Sequence, residues 1–329
     1  MRNNMIDVFR FFGCFAVIIL HVTYPGASPN LVILLRLLSR WAVPFFFLVS
    51  GYFFYSRFNK NANEAIISVL KTILMLYVTS CIIFLPVGIL SSIKNTGSAS
   101  SILSFQTLFS GTYFHLWFIG SMIFGYLFVW LLLVSKLDKL LNIISVGIVL
   151  IILAFDSYSH ILNISADSNV LRYLSSIPLL TLGFSIARNN FKFHNLTSVL
   201  LLIILLGVGC ELSEAFFLQK YTNYDPFKHQ ILIGTLIMAT ALLVFAINYD
   251  VPDNWMAQYG KRYSLVIYLY HPLAISAVSV IFQKMKILNS AQLVIPVIVF
   301  IITLGITVFI DKYMNRLFRI LSGTFFNNR

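Results

Sequence analysis

Three ionisable side chains near the start of the chain, Asp7, Arg10 and His21, lie within an apolar run. If this run is an α-helix, the eleven positions from Arg10 to His21 bring both side chains to one face, about 16 Å apart along the axis. Asp7 lies about 40° from the same line. A guanidinium can bind phosphates, and an imidazole that titrates near neutral pH can act as a general base. An equally good interpretation of these residues alone is an interfacial Asp7–Arg10 pair with a separate, hydrogen-bonded His21.

Further polar side chains interrupt apolar runs later in the chain, where ionisable groups are costly and mark functional sites by default. Pro272 cannot donate a hydrogen bond to the residue four positions earlier, so the break should expose the Tyr268 carbonyl near His271. Helix capping, helix-end solvation or an aromatic belt is the competing interpretation at each of these positions. The positions are Arg40, His115, Trp117, Glu211, Glu214 and His271.

The amino-acid composition limits the class of protein to which this chain can belong. Of 329 residues, 59% are hydrophobic and 10% are charged, and the mean hydropathy is +0.88. An ordinary soluble domain has about a quarter charged residues, so a soluble globule and a disordered chain are both excluded. The net charge of +12 comes from basic residues in short connectors, which favours membrane topology over nucleic-acid binding. The three cysteines, Cys14, Cys81 and Cys210, lack the spacing of a zinc site or a disulfide framework, and we expect no metal.

Long apolar runs without alternation predict an all-α, polytopic membrane bundle rather than a β-barrel. Lysines and arginines concentrate in alternate connectors, which by the positive-inside rule places both termini in the cytoplasm. Residues 1–27 have the apolar stretch of a signal peptide, but Asp7 and Arg10 lie too deep for its basic end, so we expect a retained helix. We predict one membrane domain over 1–329 with no appended soluble domain. The ten predicted spans are 5–25, 40–57, 66–90, 112–135, 140–156, 170–187, 196–218, 231–248, 263–282 and 292–312.

Four sequence blocks, in this order over nearly the whole chain, resemble the membrane acyltransferase-3 family. Each block alone is a weak signal, whereas four in order on ten predicted spans are specific. The chain departs from the family pattern at Cys14 and through the additional basic residue Arg36, and it lacks the soluble SGNH-type domain of some members. The blocks are DVFRFFGCFAVIILH with Asp7, Arg10 and His21; VPFFFLVSGYFF with Pro44, Ser50, Gly51 and Tyr52, preceded by Arg40; FHLWFIGSMIFGYL with His115, Trp117 and Tyr126; and GKRYSLVIYLYHPL with Gly260, Ser264, Tyr268 and His271.

The resemblance implies acyl transfer, usually of acetyl from acetyl-CoA, to a hydroxyl of a cell-surface glycan or a lipid-linked sugar in the inner membrane of a bacterium. Under this assignment His21 is the general base, and Asp7 or Glu211 orients the imidazole or balances its charge. Arg40, His115 or Trp117 would shape the tunnel or meet the developing oxyanion. The cations expected to bind acetyl-CoA are Arg10, Arg40, Arg57, Lys261 and Arg262. The residues expected to line the acceptor site and tunnel are Tyr52, His115, Trp117, Tyr268 and His271.

Two other functions would use a similar bundle. A transporter or flippase for a glycan or small solute would also place charges among the helices, but would move its substrate without consuming acetyl-CoA. Inverted repeats and paired broken helices, which are typical of transporters, are not recognisable in this sequence. A non-catalytic membrane subunit of a glycan synthase would tolerate replacement of His21. We expect contacts with membrane lipid and none with nucleic acid; the acceptor, the acyl chain length and the oligomeric state do not follow from the sequence.

Overall fold

The computed structural model describes residues 3–96, 98, 102, 105–164, 166–191, 196–222, 229 and 231–325. Helix makes up 82% of the structure, and the described residues form no strand, which confirms the all-α prediction. Between α7 and α8, Leu153–Ser157 forms a π-helix. The helices are α1 (Asn4–His21), α2 (Pro29–Leu37), α3 (Ala42–Phe58), α4 (Ala62–Thr96), α5 (Phe105–Ser110), α6 (Trp117–Val134), α7 (Asp138–Ile152), α8 (Ser159–Leu162), α9 (Ser168–Leu174), α10 (Ser176–Arg188), α11 (Thr197–Thr222), α12 (Ile233–Asn248), α13 (Trp255–Lys284), α14 (Leu288–Ala291), α15 (Ile295–Tyr313) and α16 (Asn315–Leu321).

Nine helical segments in the described part of the chain are long and apolar enough to cross a membrane, and they coincide with nine of the ten predicted spans. The remaining prediction, 231–248, corresponds to α12, which has 16 residues and is therefore about 24 Å long. This is shorter than the hydrocarbon core of a bilayer, about 30 Å, so the described residues contain nine candidate spans of full length and α12 as a further, shorter apolar helix. The side of the membrane on which the termini lie stays a prediction, as does the single-domain organisation.

The region around the second predicted span, 40–57, differs most from expectation. A short additional helix, α2, begins after Ser28, whose hydroxyl caps it by accepting from the Leu31 N–H, and Pro29 occupies its first turn. The chain turns through residues 38–41 before α3 begins. Arg40 therefore lies in a turn ahead of α3 instead of opening the second helix, and its side chain is only 9% exposed.

Two close helix crossings hold together the elements that carry the candidate residues. Helix α1 packs against α13 where a Cβ on Gly260 would lie 1.8 Å from the Asp7 carbonyl oxygen. Helix α3 packs against α10 where a Cβ on Gly183 would lie 1.9 Å from the Leu48 carbonyl oxygen. Small residues allow membrane helices to approach this closely. Because α1 also packs against α3, α1 lies between α3 and α13 and contacts both.

Candidate active site

Helix α1 carries Asp7, Arg10 and His21, as their spacing predicts. The Arg10 Nη1 group donates to the Asp7 Oδ1 atom at 3.1 Å, so the expected ion pair forms. Arg10 also lines an internal cavity of about 450 Å³, and His21, the last residue of α1, lines a second cavity of about 270 Å³. We call these the Arg10 cavity and the His21 cavity. Both side chains therefore border internal space in addition to their local contacts.

The Arg10 cavity is bordered by α1, α3, α4, α6 and α13. Most of its wall consists of aromatic and aliphatic side chains, but two guanidinium groups, from Arg10 and Arg57, also line it. A cavity of this kind suits a ligand that combines an apolar arm with anionic groups. The polar side chains that line it are Arg10, Ser50, Ser56, Arg57, Tyr126, Ser264 and Tyr268.

The His21 cavity lies at the other end of α1 and is bordered by the turn before α3 and by the start of α6. Its apolar wall includes Val43, Pro44 and Phe47. None of the described lining residues is acidic, and two are arginines. The side chains with polar atoms that line it are His21, Arg36, Arg40, Trp117, Ser175 and Tyr268.

Tyr268 on α13 lines both cavities, so its side chain belongs to the wall between them. The side chain is 3% exposed, and its ring packs against Phe118 and Phe46 with centroid separations of 4.8 and 5.8 Å. The resemblance implies a tunnel through the bundle. The structure has two cavities in its place, and both are lined by Tyr268.

Three histidines come together beside the His21 cavity. The ring centroids of His21 and His271 are 5.2 Å apart, and those of His115 and His271 are 6.0 Å apart. Phe114 stacks on His21 at 5.2 Å. The structure therefore unites residues from α1, from the residues before α6 and from α13, which are far apart in the sequence. His21 was predicted as the base and His115 and His271 as tunnel-lining residues, and the structure brings the three rings together.

Each of these imidazoles forms a hydrogen bond between one ring nitrogen and a backbone carbonyl oxygen. His21 Nδ1 lies 2.8 Å from the Val17 oxygen, His115 Nε2 lies 2.8 Å from the Leu269 oxygen, and His271 Nδ1 lies 2.7 Å from the Tyr268 oxygen. A carbonyl only accepts, so in the neutral ring that nitrogen donates and the other nitrogen keeps its lone pair. Pro272 cannot donate to the Tyr268 carbonyl, which was therefore predicted to be available. His271 Nδ1–H donates to this carbonyl in the structure.

The orienting partner of His21 differs from expectation. The Val17 carbonyl, one helical turn earlier on α1, accepts from the Nδ1–H group, in place of a carboxylate from Asp7 or Glu211. Asp7 lies fourteen residues before His21 on the same helix, which corresponds to about 21 Å along the axis. Glu211 is placed near a different cation, Arg40. The prediction of a carboxylate as the orienting group was therefore wrong, because a backbone carbonyl of the same helix accepts this hydrogen bond.

Arg40 belongs to the His21 cavity and not to the group of cations around the Arg10 cavity. Its Nε atom lies 4.0 Å from Glu211 Oε1, and its Nη2 group donates to the His229 carbonyl. Both side chains of this ion pair are buried, with Glu211 only 2% exposed. A buried cation beside a buried carboxylate forms a fixed charged element of the cavity wall, so its predicted role in binding the acyl donor is not supported by its position.

The second acidic residue of α11 is also internal. Glu214 accepts from the Tyr158 hydroxyl at 2.8 Å and from the Gly234 N–H at 3.2 Å. A Cβ on Gly234 would lie 2.2 Å from the Glu211 nitrogen, so α12 approaches α11 closely at this level. Burial of Glu211 and Glu214 excludes the alternative that they only solvate a helix end.

Besides Asp7, His115, Glu211 and His271, three predicted site residues line neither cavity. Arg262 forms a two-pronged ion pair with Asp311 on α15, at 2.6 and 2.8 Å, and Lys261 is exposed to solvent. Tyr52 packs against Phe53 at 5.4 Å. Arg262 and Lys261 fail to line the Arg10 cavity because successive residues on α13 point in different directions, and Ser264 and Tyr268 occupy the inward face.

Several polar residues that line the cavities were not predicted as site residues, among them Arg36 and Ser264. Arg36 on α2 lines the His21 cavity beside Arg40, and Ser264 on α13 lines the Arg10 cavity with a buried hydroxyl. Arg36 was recognised only as an extra basic residue near the outer face. The start signal of α2, Ser28 followed by Pro29, would have revealed the helix that carries it.

A family model described as an acyltransferase domain matches residues 3–312. The chain belongs to the acyltransferase-3 family. All described residues that line the two cavities fall within the matched region, so the candidate site of this acyltransferase-3 chain lies in the family domain. No solved structure matches the chain.

Curated relatives of this acyltransferase-3 chain include an amino-acid racemase of Enterococcus faecalis, 29% identical over 314 residues, which are 89% of this chain and 44% of the relative. A serine/alanine racemase of Enterococcus gallinarum is 25% identical over 325 residues, 93% of this chain and 45% of the relative. The chain thus spans less than half the length of these relatives. The similarity places the acyltransferase-3 bundle as one part of those longer proteins.

Proposed function

We propose that this acyltransferase-3 protein is a membrane O-acyltransferase. It moves an acyl group, with acetyl as the expected case, from acyl-CoA to a hydroxyl of a cell-surface glycan or lipid-linked sugar. The observation that carries the proposal is the pair of cavities that meet at Tyr268, one lined by two guanidinium groups and the other by the candidate base His21. The racemase names of the relatives describe chains more than twice as long, and we do not extend racemisation to this chain.

The Arg10 cavity is the binding site for acetyl-CoA in this proposal. Arg10 and Arg57 are the two cations that line it, and guanidinium groups form strong, charge-assisted hydrogen bonds with phosphates. The apolar wall suits the uncharged arm that carries the thioester. Asp7 holds Arg10 at 3.1 Å and so fixes the direction of its guanidinium group. Because acetyl-CoA is cytoplasmic, this end of α1 faces the cytoplasm, in agreement with the positive-inside prediction for the inner membrane of a bacterium.

The His21 cavity receives the acceptor hydroxyl. His21 Nε2 removes the hydroxyl proton while its Nδ1–H group stays on the Val17 carbonyl, which fixes the tautomer that a general base needs. The acceptor oxygen then bonds to the thioester carbonyl carbon, and the carbon–sulfur bond breaks as CoA leaves. The proton held by the imidazolium passes to the departing sulfur, so the reaction is balanced.

Charge develops on the thioester oxygen as the acceptor attacks. Arg40 and Trp117 line the same cavity as His21, and a guanidinium or an indole N–H at this position would stabilise the oxyanion. His115 and His271 are each hydrogen-bonded to a backbone carbonyl, and their rings form one group with that of His21. His115 and His271 act on His21 through their packing and are positioning residues in this proposal.

The test uses purified protein in lipid nanodiscs and measures both acetyl-CoA binding and the appearance of free CoA. Arg10→Ala should weaken acetyl-CoA binding, because one of the two cations of the cavity is lost. His21→Ala should bind acetyl-CoA normally but release CoA about 10²- to 10⁴-fold more slowly. His160→Ala, which removes an exposed histidine on α8, is the matched control.

A His21→Ala variant that releases CoA at the wild-type rate would exclude His21 as the base. Failure of the folded wild-type protein to bind acetyl-CoA would exclude the proposed donor. The transporter interpretation would then be favoured, and the next measurement would be movement of glycan or solute across the membrane.

A further inference from the structure

The hydroxyl of Ser264 on α13 has no hydrogen-bond partner among the described residues. The residue is 1% exposed and lines the Arg10 cavity. Two other serines of this cavity use helix carbonyls instead. Ser50 donates to the Phe46 carbonyl at 2.7 Å, and Ser56 donates to the Phe53 carbonyl at 3.0 Å. A buried polar group without a partner is rare in native structures and calls for an explanation, so we ask which ligand of this cavity the Ser264 hydroxyl would bind.

The contacts of α13 with α1 give the depth of this hydroxyl in the bundle. The Cys14 Sγ–H group donates to the Ser264 carbonyl at 3.0 Å. Seven residues further along each helix, the His21 and His271 rings lie 5.2 Å apart. Seven residues of helix correspond to about 10.5 Å, and the four residues from Arg10 to Cys14 correspond to about 6 Å. Ser264 therefore lies at a level between Arg10 and the candidate base.

Acyl-CoA, the ligand that the proposed function places in this cavity, has a polar group suited to that level. Its phosphates and its thioester are joined by an arm that contains two amides, and the nearer amide is separated from the sulfur by two carbons. This spacer is slightly longer than one extended residue, which spans about 3.3–3.6 Å, and it fits within the helical turn of about 6 Å from Ser264 to Tyr268. Tyr268 lines both cavities, so a thioester beside it lies where the acceptor can reach it.

The chemistry of the wall favours the amide as the partner of this hydroxyl. Most of the cavity wall is aromatic and aliphatic, and an amide buried there without a hydrogen bond would cost binding free energy. A serine hydroxyl can donate to the amide carbonyl or accept from the amide N–H.

We propose that the Ser264 hydroxyl binds the amide of acyl-CoA nearest the thioester and so places the thioester beside Tyr268. This inference rests on the proposed function and adds a donor-binding residue to it. The guanidinium groups of Arg10 and Arg57 bind the charged end of the donor, and Ser264 fixes how far its uncharged arm extends towards the His21 cavity.

The experiment divides the donor into its parts and measures binding without turnover. Calorimetric titration of nanodisc protein uses acetyl-CoA, CoA, which keeps the arm but has no thioester, and 3′-phospho-ADP, which keeps the nucleotide and the phosphates but lacks the arm. Ser264→Ala should weaken the binding of acetyl-CoA and of CoA by the same factor, about three- to tenfold, because both lose one hydrogen bond. It should leave 3′-phospho-ADP unaffected, whereas Arg10→Ala should weaken all three ligands.

Thermal unfolding and a matched serine complete the test. Ser264→Ala should unfold at the wild-type temperature or above it, because the hydroxyl that is removed has no partner in the described protein. A lower midpoint would show that the hydroxyl is bonded within the protein and would overturn the proposal. Ser276→Ala, which removes an exposed hydroxyl on the same helix outside both cavities, should bind all three ligands as the wild type does.

Three binding results would also overturn the role of Ser264. Unchanged affinity of Ser264→Ala for CoA would exclude a bond to the arm. A loss confined to acetyl-CoA would assign the hydroxyl to the thioester instead. An equal loss for 3′-phospho-ADP would show a general disturbance of the cavity.

This proposal and the proposed function fail in different ways. CoA binding that depends on Ser264, without CoA release from acetyl-CoA for any acceptor, would reject acyl transfer and support the site. CoA release by the wild-type protein, with CoA binding unchanged in Ser264→Ala, would reject the site while the acyltransferase proposal stands. A folded wild-type protein that binds neither CoA nor acetyl-CoA would exclude both.

Discussion

Replacement of Gly260 by alanine tests the crossing on which the whole site depends. A Cβ at this position would lie 1.8 Å from the Asp7 carbonyl oxygen, whereas ordinary van der Waals contact begins at 3.4 Å. Helices α1 and α13 must therefore separate by about 1.6 Å. Helix α1 carries Arg10 and His21, and α13 carries the facing residues Tyr268 and His271, so the separation changes the distances within both cavities.

The expected effects of Gly260→Ala are on stability and on rate. Overpacking of a well-packed interior costs about 1–3 kcal/mol in the free energy of unfolding. Misplacement of reacting groups by about 1 Å costs about 100-fold in rate, and the required displacement is larger than this. We expect a lower midpoint of thermal unfolding in nanodiscs and a turnover of acetyl-CoA reduced by at least about 100-fold.

Gly147→Ala on α7 is the matched control, because nothing lies within 4 Å of its would-be Cβ. Alanine is the better helix former by about 1 kcal/mol, so this variant should be as stable as the wild type or slightly more stable, with full turnover. A Gly260→Ala protein with the wild-type unfolding midpoint and turnover would refute the close approach of α1 and α13. Loss of stability with unchanged turnover would show that the site does not depend on this crossing.

Two further substitutions probe the buried polar groups. Glu211→Ala leaves Arg40 buried without the carboxylate at 4.0 Å, so we expect the free energy of unfolding to fall by about 3–5 kcal/mol. Adding Arg40→Met should restore part of this loss. A chemical-denaturation curve like that of the wild type would contradict the pairing of Glu211 with Arg40. Pro272→Ala supplies a new N–H donor to the Tyr268 carbonyl oxygen, which lies 2.7 Å from His271 Nδ1. The free energy of unfolding should therefore rise by up to about 3 kcal/mol, while CoA release slows because the new donor competes with His271. Unchanged or faster CoA release would contradict the role of the proline.

Helical periodicity was sufficient to predict the arrangement of α1. The spacing of Arg10 and His21 gives their common direction without any knowledge of the rest of the bundle, and the apolar runs predict nine of the long helices. The additional helix α2 was predictable too, since Ser28 and Pro29 form a standard start signal. It was missed because its apolar run is too short to span a bilayer. The same criterion overestimated 231–248, whose apolar run is longer than its helix.

Contacts between distant segments could not be predicted in this way. The pairing of Arg40 with Glu211 joins two segments 171 positions apart, and nothing in either segment specifies the other. Composition likewise cannot show whether an arginine lines the Arg10 cavity or the His21 cavity, which share Tyr268. The hydrogen-bond partner that orients the His21 imidazole was predicted incorrectly for a different reason. A backbone carbonyl is present at every position, so the sequence gives no sign of which carbonyl a side chain will use.

The aromatic wall at Tyr268 matters for the membrane as well as for the reaction. An enzyme that meets one substrate from each side of a bilayer risks becoming a pore, through which protons and ions would dissipate the gradients on which the cell depends. Under the proposed function, the Tyr268 ring, which lines both cavities and packs against Phe46 and Phe118, would oppose such leakage when both cavities are empty. Under the same proposal, acyl-CoA bound in the Arg10 cavity would occupy one of the two cavities during transfer, and the donor would then help to keep the bilayer sealed.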